Sequence, residues 1–195
     1  TKKILITGAN GQLGHEMRNA LKGNNRFECI FTDVAELDIC NAEAVKQIIA
    51  DNHIDYIVNC AAYTQVDKAE DNAELCKKIN TDAVENLARA AATYGARMIH
   101  ISTDYVFNGR GYRPYTEDVV PDPQSVYGST KLEGEKILTD ICPESIIIRT
   151  AWLYSPYGNN FVKTMLHLGE EREELSVVAD QIGTPTCAAD LAQAI

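Results

Sequence analysis

The sequence predicts an α/β fold built as a doubly wound parallel sheet, and three observations predict it. Short apolar runs alternate with helical patterns along most of the chain, as crossover helices between parallel strands require. The first run, Ile4-Leu5-Ile6, shows no polar alternation, which suits a strand covered on both faces. Gly8, Gly11 and Gly14 then recur at spacing three, just where a helical pattern (Glu16, Met17, Leu21) takes over.

That opening stretch carries chemistry. The first glycines allow a tight turn and close backbone approach, and the third lets helix and strand pack closely. Free N–H groups at the positive helix end then meet an anion, so the turn is a candidate cradle for a diphosphate.

Composition sets the bounds. A chain of 195 residues can bury the core of one domain, or of one domain and part of another. With 45% hydrophobic and 24% charged residues it has the balance of a soluble globular protein. It holds no apolar run long enough for a membrane span and no leader pattern. The net charge of −10 argues against nucleic acid or an anionic membrane as partner. It does not exclude an anionic cofactor, because a glycine turn binds phosphate through local dipoles. Six cysteines (29, 40, 60, 76, 142, 187) show no Cys-x-x-Cys spacing, so reduced thiols in a cytoplasmic protein are expected. The four histidines are scattered and suggest no zinc site.

The remaining elements follow in order. Phe27 to Asp33 reads as a second strand ending in an acid. Asp33 lies about 20 residues beyond the glycines, where a dinucleotide fold sets a carboxylate on the adenosine ribose. An acid there favours NAD over NADP, and no arginine follows it directly to clamp a 2′-phosphate. Asn41 is a candidate N-cap for a helix through Val45, Ile48 and Ile49. Ile54 to Ala62 reads as a third strand ending in small residues, against which a flat cofactor can lie. Lys68 to Tyr94 reads as mostly helical and closed by Gly95, followed by a strand over Met98 to Ser102.

The reactive groups fall between Ser102 and Lys131. Ser102-Thr103-Asp104 sits at a strand's carboxyl end, Gly109 to Pro123 reads as a loop over the site, and Ser125 to Lys131 opens the next helix. Tyr127 and Lys131, four apart, share one helix face. A free tyrosine titrates near ~10. An ammonium beside it, with the charge of an oxidised nicotinamide, is expected to lower that value. Thr103 is placed to hydrogen-bond a substrate oxygen.

Through Gly8-x-x-Gly11-x-x-Gly14, Thr103 and Tyr127-x-x-x-Lys131, the chain resembles the extended short-chain dehydrogenase/reductases. Within that superfamily it is similar to the dTDP-4-dehydrorhamnose reductase family, through five blocks. These are Val58 to Glu70, Ile79-Asn80-Thr81, Ser102 to Gly109, Arg149 to Tyr154 and Asp180 to Thr186. The resemblance implies a Rossmann domain over residues 1–153, with 154–195 the incomplete start of a substrate region and a return helix. It implies NADPH or NADH as cofactor and a nucleotide sugar as substrate. Thr103, Tyr127 and Lys131 would be the catalytic set. Gly8, Asn10, Gly11, Gln12, Leu13, Gly14, Asp33, Asp38, Ile39, Ala61, Ala62 and Tyr63, with Tyr127 and Lys131, would line the cofactor. Val66, Asp104, Tyr105 and Trp152 would face the deoxysugar.

The sequence departs from that pattern in two places. The family is associated with a magnesium-linked homodimer that uses a glutamate after the glycine loop and a later acidic pair. Glu16 matches the first, but the second place reads Ala189-Asp190, with one acid. Mg2+ is therefore not assigned, and Glu16 is expected to be a solvated helix residue. Enzymes of the family are also longer, and this chain stops inside the helical pattern of Ala189 to Ile195. It reads as a C-terminally truncated piece, expected to bind dinucleotide and to turn over nucleotide sugar poorly. Two other readings remain at this point. One is a nucleotide-sugar epimerase or dehydratase, although dehydratases of this group have an acid pair after the threonine and here Asp104 is followed by Tyr105. The other is a non-catalytic NADP-binding subunit resembling the regulatory subunit of methionine adenosyltransferase.

Overall fold

The computed structural model describes residues 1–195. Five parallel strands form the central sheet in the order β2-β1-β3-β4-β5: β1 (Lys2–Thr7), β2 (Phe27–Phe31), β3 (Tyr56–Asn59), β4 (Arg97–Thr103) and β5 (Ile146–Thr150). The order reverses beside β1, with β2 on one side and β3 on the other. In an open α/β sheet that switch point leaves a crevice at the carboxyl ends of the strands.

Both faces of the sheet are covered, which explains the unbroken apolar run of β1. Leu5 points into a core shared with Val45 and Ile49 of α2 (Ala42–Asn52), Leu87 of α5 (Ala83–Tyr94) and Leu138 of α6 (Val126–Ile141). Its neighbours Ile4 and Ile6 point the other way, against Leu13 and Met17 of α1 (Gln12–Leu21) and Leu191 of α8 (Ala188–Ala194). The C-terminal helix thus returns to pack beside the first one. No helix is long and apolar enough to cross a membrane.

Caps act where the residue types suggested. Asn41 Oδ1 accepts from the Ala44 N–H at 3.1 Å, and Gly95 ends α5 in the left-handed region with φ 73°. Several boundaries differ from the sequence reading. Strand β2 stops at Phe31, so Asp33 lies just past its end. Strand β3 stops at Asn59, leaving the segment from Cys60 to Gln65 irregular. The long helix expected over 68–94 is broken into α3 (Val66–Asp71), α4 (Ala73–Lys77), a π-turn (Lys78–Asp82) and α5.

The π-turn has a structural reason. Asn80 clasps the irregular segment, its Oδ1 accepting from the Tyr63 N–H at 2.9 Å and its Nδ2 donating to the Tyr63 carbonyl at 3.1 Å. Thr81 Oγ1 donates to the Thr130 carbonyl of α6 at 2.9 Å. The turn thereby ties the crevice wall to the helix that carries Tyr127 and Lys131. Beyond β5, a two-stranded parallel sheet of β6 (Leu153–Tyr154) and β7 (Thr186–Cys187) had no clear sequence signal. Between them α7 (Phe161–Glu171) buries none of its residues.

Candidate active site

A cleft of about 1280 Å³ runs along the carboxyl ends of the strands, from the glycine turn to Trp152. It is larger than the roughly 300–1,000 Å³ typical of a drug-sized ligand. At one end the backbone is closely packed. A Cβ on Gly8 would lie 2.6 Å from the Ala61 nitrogen, and one on Gly14 would lie 2.5 Å from the Gly8 carbonyl oxygen. Gly8 also sits at φ +64°, a region that glycine reaches without strain. The turn leads straight into α1, capped by Gly11, whose first N–H groups take no side-chain cap.

Asp33 lines the cleft beside the glycine turn. Its carboxylate accepts from the Asn10 N–H at 2.9 Å and from the Val34 N–H at 2.8 Å. The glycine turn and the end of β2 are thus locked together through the acid. Asn10, Gln12, Leu13, Asp38, Ile39, Ala61 and Ala62 also line the cleft. Tyr63 does not: the wall passes from Ala62 to Thr64. Its ring instead packs on the cluster of Ala69, Cys76 and Tyr127, because Asn80 holds its backbone from both sides.

At the other end the structure gathers Thr103, Asp104, Tyr105, Tyr127, Lys131, Val66 and Trp152 around one cavity. Ser125 Oγ accepts from the Gly128 N–H at 3.1 Å and so starts α6. Tyr127 and Lys131 then face the cleft one turn apart. The Thr103 hydroxyl donates to Asp104 Oδ1 at 3.2 Å and accepts from the Tyr105 N–H at 3.1 Å. The Tyr105 ring meets that of Tyr127 edge-on at 5.5 Å. Trp152 has φ 47°, a left-handed conformation rare for a bulky residue, and it remains 41% exposed. Strain of this kind concentrates at functional sites.

The acid–base properties differ from the sequence expectation. Burial pushes the Tyr127 phenol up to about 12, outweighing the influence of the neighbouring Thr103 hydroxyl, which acts the other way. The lowering expected from the ammonium four residues away does not prevail. Lys131 instead turns beneath the cleft floor, where its Nζ donates to the Ile101 carbonyl at 2.6 Å and lies 3.3 Å from His100 Nε2. Burial lowers Lys131 itself to about 8, with Glu135 the largest opposing influence. Burial also raises the Asp104 carboxyl, partly countered by the Thr103 hydroxyl.

Two hydroxyls that sequence reasoning left without a role belong to this wall. Ser102 Oγ and Thr150 Oγ1 are buried, line the cleft and have no hydrogen-bond partner. Ser102 was visible as part of Ser102-Thr103-Asp104, whereas Thr150 reaches the site only through the pairing of Thr103 with Thr150 across β4 and β5. Glu16, expected to be solvated, is buried with 7% exposure, and its Oε2 accepts from Asn19 Nδ2 at 3.1 Å. No group of three or more His, Cys, Asp or Glu side chains comes together to hold a metal ion.

Comparison with known proteins places this geometry. Residues 2–195 match the family model described as RmlD substrate binding domain. The dTDP-4-dehydrorhamnose reductase of Escherichia coli K12 is 48% identical over 193 residues, covering 97% of this chain and 64% of that protein. A crystal structure of a dTDP-4-dehydrorhamnose reductase from Clostridium acetobutylicum superposes with a TM-score of 0.95 at 53% identity, over 98% of this chain and 68% of that one. The Bacillus anthracis dTDP-4-dehydrorhamnose reductase in complex with NADP gives a TM-score of 0.95 at 45% identity, over 98% and 69% of the two chains. The chain spans 64–66% of the length of curated relatives such as those from E. coli and Aggregatibacter actinomycetemcomitans. Family model, relatives and fold agree over nearly every residue: the chain belongs to the RmlD substrate binding domain family.

Proposed function

We propose that this chain carries the dinucleotide site and the reactive groups of a reductase that transfers hydride from NAD(P)H to the C4 ketone of dTDP-4-dehydro-L-rhamnose, giving dTDP-L-rhamnose. Residues 1–153 are the dinucleotide-binding domain in this reading, and 154–195 begin the substrate region and return to it through α8. The relative solved with NADP supports a nicotinamide dinucleotide as cofactor. The residues fit such a group: the glycine turn has no room for a Cβ, and two unpartnered buried hydroxyls line the opposite wall.

The observation that carries the proposal is a buried phenol beside a strand-end threonine, in a cleft that runs from the glycine turn along the carboxyl ends of the strands. When bound, NAD(P)H supplies the hydride. Reduction of a ketone then needs a proton donor at the new alkoxide, and Tyr127, raised to about 12, keeps its proton across the neutral range. Thr103 orients the substrate oxygen toward that hydroxyl. Lys131 holds ribose hydroxyls and stabilises the phenolate left after proton transfer. Trp152 and Tyr105, both partly exposed at the cleft, offer apolar faces to a deoxysugar. The Gly8–Gly14 turn holds the diphosphate through backbone N–H groups.

The test is oxidation of NAD(P)H by the full-length gene product with dTDP-4-dehydro-L-rhamnose, with the sugar product identified by mass and stereochemistry. Stoichiometric dTDP-L-rhamnose is the expected result. Tight dinucleotide binding without turnover of this ketone would overturn the reading.

A further inference from the structure

Under the cleft floor lies a chain of buried polar side chains that the proposed chemistry does not use. Thr7, Asn59 and His100 sit side by side on β1, β3 and β4, since Thr7 pairs with Asn59 and Asn59 with His100 in the parallel register. Each is at most 1% exposed, as is Lys131. Asn59 Oδ1 accepts from Thr7 Oγ1 at 2.6 Å and from the Ala61 N–H at 3.2 Å. Asn59 Nδ2 faces His100 Nδ1 at 3.0 Å, and His100 Nε2 faces Lys131 Nζ at 3.3 Å.

The polarity of this chain is fixed at one end. A backbone N–H can only donate, so the amide of Ala61 requires oxygen, not nitrogen, at that side of Asn59. The NH2 group of Asn59 must then face His100 and donate to Nδ1. Burial keeps the imidazole neutral, holding its pKa well below the usual 6.5. A neutral imidazole that accepts at Nδ1 carries its proton on Nε2. His100 therefore presents a donor to Lys131, whose Nζ already donates to the Ile101 carbonyl. An ammonium would set an N–H against the N–H of His100. Reversing Asn59 would relieve that clash only by leaving the Ala61 amide facing another donor.

We infer that His100 is a positioning residue for Lys131: locked in the Nε2–H tautomer by Asn59, it donates to Nζ and so favours the free amine of Lys131 in mildly alkaline solution, and the amine gains its proton when a dinucleotide binds. Burial acts in the same direction, lowering Lys131 to about 8. The other titratable groups around Nζ are Glu135 on its own helix, Cys76 of α4 and Cys60 beyond β3, with Tyr127 one turn away. Glu135 is engaged by Arg149 through contacts of 2.6 and 3.0 Å, and burial holds Cys60 protonated, pushed up to about 12. The only proton moved is one taken from buffer onto the amine, giving the ammonium that the ribose hydroxyls and the phenolate can use.

The inference deepens the proposed reductase role, yet its tests require no turnover. In the ¹⁵N NMR spectrum of histidine-labelled protein, His100 should show a protonated Nε2 and an unprotonated Nδ1 at neutral pH. Calorimetry of NADH binding at pH 8.5, in buffers of different ionisation enthalpy, should show uptake of more than about half a proton per site that is absent in Lys131→Met. Asn59→Asp keeps an acceptor for Ala61 and Thr7 but now takes the proton of Nδ1–H. It should reverse the tautomer, pre-charge Lys131 and cut the uptake at least twofold while NADH still binds. An Nδ1–H tautomer in the wild type, or NADH binding with no proton uptake, would overturn the inference. Failure of the reductase reading alone would leave both signals intact.

Discussion

Removing the Tyr127 hydroxyl tests the proposed chemistry most directly. Tyrosine and phenylalanine differ here by one group, and the structure isolates what that group does. The ring is 8% exposed and packs on Ala69, Cys76 and the edge of Tyr105, so Phe keeps its apolar contacts. Loss of the hydroxyl should cost at most about 1 kcal/mol, because Thr103 retains Asp104 and the Tyr105 amide as partners. For a domain of this size that lowers Tm by roughly 2–4 °C. Catalysis should suffer far more. A positioned general acid contributes roughly 10²–10⁴-fold, or about 3–5 kcal/mol at the transition state. Steady-state turnover of dTDP-4-dehydro-L-rhamnose, followed by NAD(P)H absorbance, should therefore show kcat falling at least a hundredfold. The dissociation constant for NAD(P)H should change less than threefold, since the diphosphate grip lies at the far end of the cleft. A Tyr127→Phe protein keeping a tenth of wild-type kcat would refute the role of the phenol.

Four other outcomes are expected. Gly14→Ala puts a Cβ 2.5 Å from the Gly8 carbonyl oxygen and the Ala9 Cα; it should cost about 1–3 kcal/mol of stability and weaken dinucleotide binding more than tenfold. Gly169→Ala, where a Cβ meets nothing within 4 Å on exposed α7, should instead stabilise by about 0.5–1 kcal/mol; denaturant midpoints of the two variants check the contrast. Lys131 titrates at about 8 in the folded chain against an ordinary 10.5, so between those values the unfolded chain holds more protons and stability rises with pH. Across that window wild type should gain on the order of 3 kcal/mol relative to Lys131→Met, and parallel curves for the two proteins would contradict the lowered value. Asp33→Ser removes the carboxylate at the end of β2 and should raise the NADPH-to-NADH affinity ratio about tenfold; fluorescence titration with both cofactors reads it, and an unchanged ratio would remove Asp33 from cofactor choice.

What the sequence disclosed and what it hid divide along a physical line. Gly8, Gly11, Gly14 and Asp33 were legible because backbone stereochemistry and strand length fix their roles within one βαβ unit. Tyr127 and Lys131 were legible as a pair because one turn of helix sets their spacing. Their electrostatics were not, since the sequence shows an ammonium four residues from a phenol but not how deeply each is buried. Desolvation raises the phenol to about 12 and lowers the amine to about 8, so both move toward their uncharged forms. The groups that decide where Nζ points are Ile101 and His100, 30 and 31 residues away in the chain. They reach it only because α6 packs against β4, while the register of β3 on β4 sets Asn59 beside His100. The clasp on Tyr63 was hidden for the same reason: Asn80, 17 residues on, holds its backbone from both sides. A phenol that stays protonated is also what the reducing direction requires. In the proposed reaction, the burial that defeats the expected acidification therefore suits Tyr127 to give up a proton rather than take one, and the charge on Lys131 serves the ribose hydroxyls first and the phenolate after that proton has left.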